Sequence, residues 1–159
     1  MKQKFRISSL LISIVIAELV GALSALLSGN STGDYQALNQ PPLSPPGWLF
    51  PIAWGILYAL MGTAAYLIYQ SGADNAQKKK ALIFYGAQLF VNFLWSLVFF
   101  RFQMYWLSVA VIIVLDILLI ITMVCFARIR TSAVLFLIPY LLWLLFATYL
   151  NIGVAVLNP

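Results

Sequence analysis

Five long apolar runs, at residues 7–27, 47–69, 81–100, 106–127 and 133–157, limit what this chain can become. Each is at least about 20 residues long, enough at about 1.5 Å per residue to cross a hydrocarbon core of roughly 30 Å. Such runs cannot be open sheet in lipid, because every backbone N–H and C=O must be satisfied within its own segment. The expected fold is therefore an all-α integral membrane protein, a five-transmembrane-helix bundle forming one membrane domain over residues 1–159. The connections are short, so neighbours in sequence should be antiparallel neighbours in space. Five is an odd number of spans and no internal repeat stands out, which argues against an inverted-repeat transporter.

Composition agrees with a lipid solvent. Charged residues make up 8% of the chain and the mean hydropathy is +0.99, against about 25% charged in a soluble domain. A net charge of +5 and a pI near 9.5 raise the question of nucleic acid. The basic residues answer it, because they sit in short clusters between apolar runs and line no single face. Lys2, Lys4 and Arg6 precede the first run, Lys78, Lys79 and Lys80 precede the third, and Arg128 and Arg130 follow the fourth. With five spans all eight fall on one side and only Arg101 on the other. The positive-inside rule then puts the N-terminus in the cytoplasm and the C-terminus outside, with a bacterial cell membrane as the expected setting. The first run resembles a signal peptide in its basic start and its small residues, Gly21 to Ala25. It is longer than an ordinary signal core and contains Glu18, so an uncleaved helix is expected.

Histidine is absent, and Cys125 is the only cysteine. That excludes Ser-His-Asp and Cys-His nucleophiles, histidine zinc sites, histidine-ligated haem and an internal disulfide. The four acids, Glu18, Asp34, Asp74 and Asp116, form no carboxylate pair at a useful spacing. No catalytic residue, metal site or cofactor is expected from these patterns. The one long connection, residues 28–46, is rich in Gly, Ser, Asn and Pro and ends in PPLSPPGW. Its prolines fix φ and make a stiff entry to the second span, as in a lid over the mouth of a bundle.

Within the spans, aromatic and amide side chains recur at helical spacing. Phe50, Trp54, Tyr58 and Met61 form one stripe, Gln88, Asn92, Trp95 and Phe99 a second, and Pro139, Trp143, Ala147 and Asn151 a third. Ordinary packing, with amides as interhelical glue, is the plain reading of any one stripe. Depth adds something. Trp54 lies roughly 10 Å, Trp95 roughly 8 Å and Ala147 roughly 15 Å below the outer surface. Three stripes therefore converge beneath the long connection, as a pocket for a flat, mostly apolar ligand would require.

Three blocks, PPLSPPGWLFPIAWGILYALMGTAAYLIY, ALIFYGAQLFVNFLWSLVFF and AVLFLIPYLLWLLFATYLNIGVAVLN, cover about half of the chain. In these blocks and their spacing the sequence resembles the TspO/MBR family of tryptophan-rich sensory and translocator proteins, most specifically in the PY-LL-W-x-x-FAT-x-LN string. The resemblance implies a five-helix bundle, often dimeric, with a pocket under the first loop for porphyrins and for benzodiazepine- or isoquinoline-type drugs. By motif position it implies pocket residues Tyr35, Pro45, Phe50, Trp54, Tyr58, Asn92, Trp95, Trp143 and Ala147. There are departures. Leu43 stands where the family usually has an aromatic residue, and Pro51 falls one place before the usual proline. No basic residue follows Tyr149, so sterol binding of the animal type is not expected. Glu18 and Asp116 lie outside the family pattern, near mid-membrane, where a carboxyl should be protonated or hydrogen-bonded within the bundle.

Two functions from different classes use this pocket. One is a binding protein or sensor that holds, sequesters or moves tetrapyrroles. The other, also implied by the resemblance, is light-dependent degradation of protoporphyrin, with Trp54 and Trp143 as the nearest oxidisable side chains. A structural membrane protein with a filled core and no ligand is the third alternative. Besides membrane lipid, the expected partner is a second copy of the chain. Gly86 and Ala87, adjacent small residues on the third span, would allow close approach there.

Overall fold

The computed structural model describes residues 4–159; Lys2 of the N-terminal basic cluster lies outside them. Six helices and one π-helical turn follow in order: α1 (Ile7–Ser28), α2 (Ser31–Ala37), α3 (Leu49–Tyr69), α4 (Asn75–Ser96), the π turn (Leu97–Arg101), α5 (Tyr105–Ile129) and α6 (Thr131–Leu157). Five of them, all but the short α2, are long and apolar enough to cross a membrane. The third span begins at Asn75, ahead of the apolar run that starts at residue 81. Asp74 caps the helix, its Oδ2 accepting from Ala76 N at 2.9 Å, and lysine is itself a good helix former. The three lysines therefore ride on the first turns of α4 instead of lying in a loop.

The long helices close a ring in the order α1, α3, α6, α5, α4. Not every neighbour in sequence is thus a close neighbour in space. Helices α3 and α4 meet only lightly and face each other across two openings, while α3 packs against α6 instead. Helix α3 is the most buried span and α1 the least, at 44% against 11% of an apolar 18-residue stretch of each, so α1 lies on the outside of the bundle. Its hold on α3 is close. A Cβ at Gly62 would stand 2.5 Å from Ile14 Cα, and Ser13 Oγ donates to Gly62 O at 2.7 Å. A small residue lets the backbones touch, which is how helices associate where water supplies no driving force.

Connection 28–46 is more ordered than a disordered hairpin loop. Its first part folds as α2, and its second part is tied to the end of α6. Asn39 N donates to Asn158 Oδ1 at 3.0 Å, Asn158 Nδ2 donates back to Asn39 O at 2.9 Å, and Tyr149 OH donates to Pro42 O at 2.8 Å. Gly153 makes room for this docking, since a Cβ there would meet the Pro41 ring at 2.5 Å. Leu43, exposed between the prolines, has φ 67°, a left-handed conformation uncommon outside glycine.

Candidate functional site

The aromatic stripe of α3 points into the bundle beneath α2. Trp54 lies with its ring centroid 5.7 Å from Tyr58, 6.1 Å from Trp95 and 6.1 Å from Tyr140. A cavity of about 120 Å³ opens beside them, walled by Phe50, Trp54 and Tyr58 of α3, by Asn92, Trp95 and Ser96 of α4, by Gly21, Ser24 and Ala25 of α1, and roofed by Ser31 and Thr32 of α2. Gly21 is required for that wall: a Cβ would fall 2.4 Å from the Tyr58 ring. Ser28 and Ser96 share a hydrogen bond at 2.8 Å and hold α1 to α4.

The walls are fixed by buried polar bonds. Trp95 Nε1 donates to Asn151 Oδ1 at 2.8 Å, and Asn151 Nδ2 donates to Ser108 Oγ at 2.8 Å, so one amide joins α4, α5 and α6. Asn92 Nδ2 donates to Tyr140 OH at 3.0 Å, and Tyr140 OH donates to Gln88 Oε1 at 2.8 Å. The amides of the sequence stripes thus act as interhelical glue that also orients the rings. Beyond Trp95 the π turn closes with Phe102 N donating to Leu97 O at 2.9 Å. Its wider turn lets both Phe99 and Phe100 pack on Trp95, with centroids at 5.8 and 6.1 Å. Such turns recur at functional sites in α-helices.

Five of the nine expected pocket residues, Phe50, Trp54, Tyr58, Asn92 and Trp95, line this cavity. The others stand behind or above it. Tyr35 of α2 packs edge-on against Phe50 at 5.0 Å, and Trp143 of α6 packs edge-on against the same ring at 5.9 Å. Ala147 is buried one turn from Trp143, and Pro45 is half-buried in the lead-in to α3. Phe50 is therefore in contact with the cavity, the lid and the α6 wall at once. The Tyr35 hydroxyl and Trp143 Nε1, either side of it, are both buried without a hydrogen-bond partner. Burial holds the Tyr35 phenol above its ordinary range. The ring stays neutral and can donate.

A sequence stripe in strict steps of four on α6 passes over Tyr140. At 3.6 residues per turn each such step drifts by about 40°, and Pro139 accordingly ends on the exposed side. The inward row is Tyr140, Leu144, Ala147, Asn151 and Val154, all buried, at alternating steps of four and three. That alternation was readable.

The TspO/MBR family model matches residues 13–157. The chain belongs to the TspO/MBR family. It is 37% identical to the tryptophan-rich protein TspO of Archaeoglobus fulgidus over 96% of this chain and 98% of that one. To the TspO of Chlorobaculum tepidum it is 38% identical over 79% of each. To the human translocator protein it is 33% identical over 80% of this chain and 76% of the other. The family match runs from within α1 to the end of α6, so the cavity lies wholly within the TspO/MBR region.

Proposed function

We propose that the cavity between α1, α3 and α4 binds a porphyrin or a similarly flat, hydrophobic molecule, including drugs of benzodiazepine or isoquinoline type, and that the protein senses, sequesters or moves that ligand. The observation that carries this reading is the Phe50 junction. Two hydrogen-bonding groups, the Tyr35 hydroxyl and Trp143 Nε1, are buried and unpartnered beside an aromatic cavity, and a buried unmade bond costs about 1–3 kcal/mol. A ligand with carboxyl or carbonyl groups would satisfy them. The names tryptophan-rich sensory protein and translocator protein, borne by relatives from Cereibacter sphaeroides and human, fit a role in sensing or passage.

At about 120 Å³ the closed cavity is smaller than the roughly 300 Å³ or more of a drug-sized site. Entry therefore requires the walls to move, and a swing of Phe50, which packs on Trp143, would bring that indole and Ala147 to the ligand. The test is titration of the purified protein with protoporphyrin IX, read by tryptophan fluorescence. Saturable quenching near one ligand per chain supports binding, and a linear, unsaturable decline removes it. The same samples under illumination in oxygen address the degradative alternative. Loss of porphyrin absorbance beyond one equivalent would assign turnover to this pocket, whereas binding alone leaves the excess intact.

The orientation with the basic end in the cytoplasm, and a dimer through Gly86 and Ala87 of α4, belong to the same proposal. Gly86 is exposed, and a Cβ there meets nothing within 4 Å. It lies in an apolar groove between α1 and α4 that includes Leu23 and Phe90, which leaves room for a second copy.

A further inference from the structure

A second opening between α3 and α4 lies at the other, basic end of the bundle. It is a crevice of about 340 Å³, larger than the aromatic cavity, and lined by Ser9, Ile12, Ser13 and Ile16 of α1, Ala65, Tyr66 and Tyr69 of α3, and Leu82 and Tyr85 of α4. Ile12, Ile16 and Tyr69 are exposed on its rim, so it opens on the surface that faces lipid. Its interior is apolar and long in the direction of the helices, since Ser9 to Ile16 spans about two turns.

The mouth is cationic. Arg6 N donates to Tyr66 OH at 2.9 Å, and the Gln70 side chain donates to Lys4 O. The main chain of both residues is thereby tied to the α3 end of the crevice, and their side chains are exposed there. Lys78 stands on the α4 row that continues through Leu82 and Tyr85, and its Nζ lies 3.4 Å from Ser71 O. The one acid in this region, Asp74, is occupied as the helix cap. An acyl-sized apolar trough whose polar end is bordered by Lys78 and by the anchored main chain of the exposed Lys4 and Arg6 is complementary to an anionic amphiphile, as in basic pockets between spanning helices.

We propose that this crevice holds an acyl chain of an anionic phospholipid, with the phosphodiester at Lys4, Arg6 and Lys78. The site is independent of the aromatic cavity and does not rest on porphyrin binding there. It ties α1, the least buried span, to α3 and α4 at the end where the three helices part.

The experiment is native mass spectrometry of the delipidated protein titrated with phosphatidylglycerol or phosphatidylcholine of matched chains. One phosphatidylglycerol should be retained in preference to phosphatidylcholine. Lys78→Gln and Arg6→Gln should each weaken it about fivefold, from the usual contribution of a cation near an anionic headgroup. Ser9→Phe, at the half-buried rim, should fill the trough and expel both lipids. Ala65→Phe should do the same from the floor, with Ser9→Phe deciding if that variant does not fold. Equal retention of the two lipids, or retention of phosphatidylglycerol unchanged by the charge variants or by Ser9→Phe, overturns the proposal.

Discussion

Trp95 Nε1 donates a 2.8 Å hydrogen bond to Asn151 Oδ1, and the same amide reaches Ser108. One side chain of α6 thus sets the angle of a cavity-lining indole on α4. Asn151→Ala should leave the indole N–H and the Ser108 hydroxyl without that partner, at about 1–3 kcal/mol. Thermal unfolding in detergent reads the loss of stability, and red-shifted tryptophan emission reads the freed ring. An unchanged melting temperature would mean that water or a rearranged partner replaces the amide.

The α6 wall sets the width of the open site. Trp143→Phe keeps an aromatic face and should weaken protoporphyrin by only a few-fold. Trp143→Ala loses area as well as the stacking contribution of about 0.5–1.5 kcal/mol and should weaken it about tenfold or more. Ala147→Leu should weaken binding by filling space, with Ala147→Thr milder. If Trp143→Ala and Ala147→Leu, both folded, bind as wild type does, the ligand does not reach α6.

Phe50 separates that wall from the cavity, so its removal should be felt in kinetics first. Phe50→Ala should raise the association rate of protoporphyrin several-fold in stopped-flow quenching. A rate unchanged by this substitution would show that Phe50 is not the barrier to entry.

Topology is best read at Gly72, which is exposed and has nothing within 4 Å of an added Cβ. With Cys125→Ala as background, Gly72→Cys should resist an impermeant maleimide in intact cells, whereas Gln36→Cys on α2 should react. The reverse pattern would invert the bundle. Ser71, in the same turn, is buried and would resist label from either side.

For assembly, Gly86→Leu should shift the detergent-solubilised protein towards monomer in sedimentation velocity. An added Cβ there meets nothing within 4 Å, and leucine is a better helix former than glycine, so stability should hold. An unchanged distribution moves the contact to another face.

The five spans and the α3 and α4 stripes were legible because apolar length and helical period act locally. Trp54, Tyr58, Asn92 and Trp95 come together as their spacing implied. What escaped depended on partners. Gly62 reads as an unremarkable small residue until α1 crosses it at Ile14. The π turn at Leu97–Arg101 has no signature in an apolar run. Helix α2 is too short to show a period, and it is held in place by its surroundings. Phe50 reads as one member of a lining row, whereas its contacts to both Tyr35 and Trp143 make it the ring that joins the cavity, the lid and the α6 wall.

The placement of tryptophan gives the two openings different optical signatures. Trp54 and Trp95 line the aromatic cavity and Trp143 stands behind it, while the crevice at the basic end carries no indole, only Tyr66, Tyr69 and Tyr85. Emission excited at the red edge of the indole band comes from those three tryptophans and from the exposed Trp48 and Trp106, none of which lines the crevice. A molecule seated in the crevice is nearly dark to that measurement and appears only in tyrosine emission, so the two occupancies separate by excitation wavelength in a single unlabelled sample.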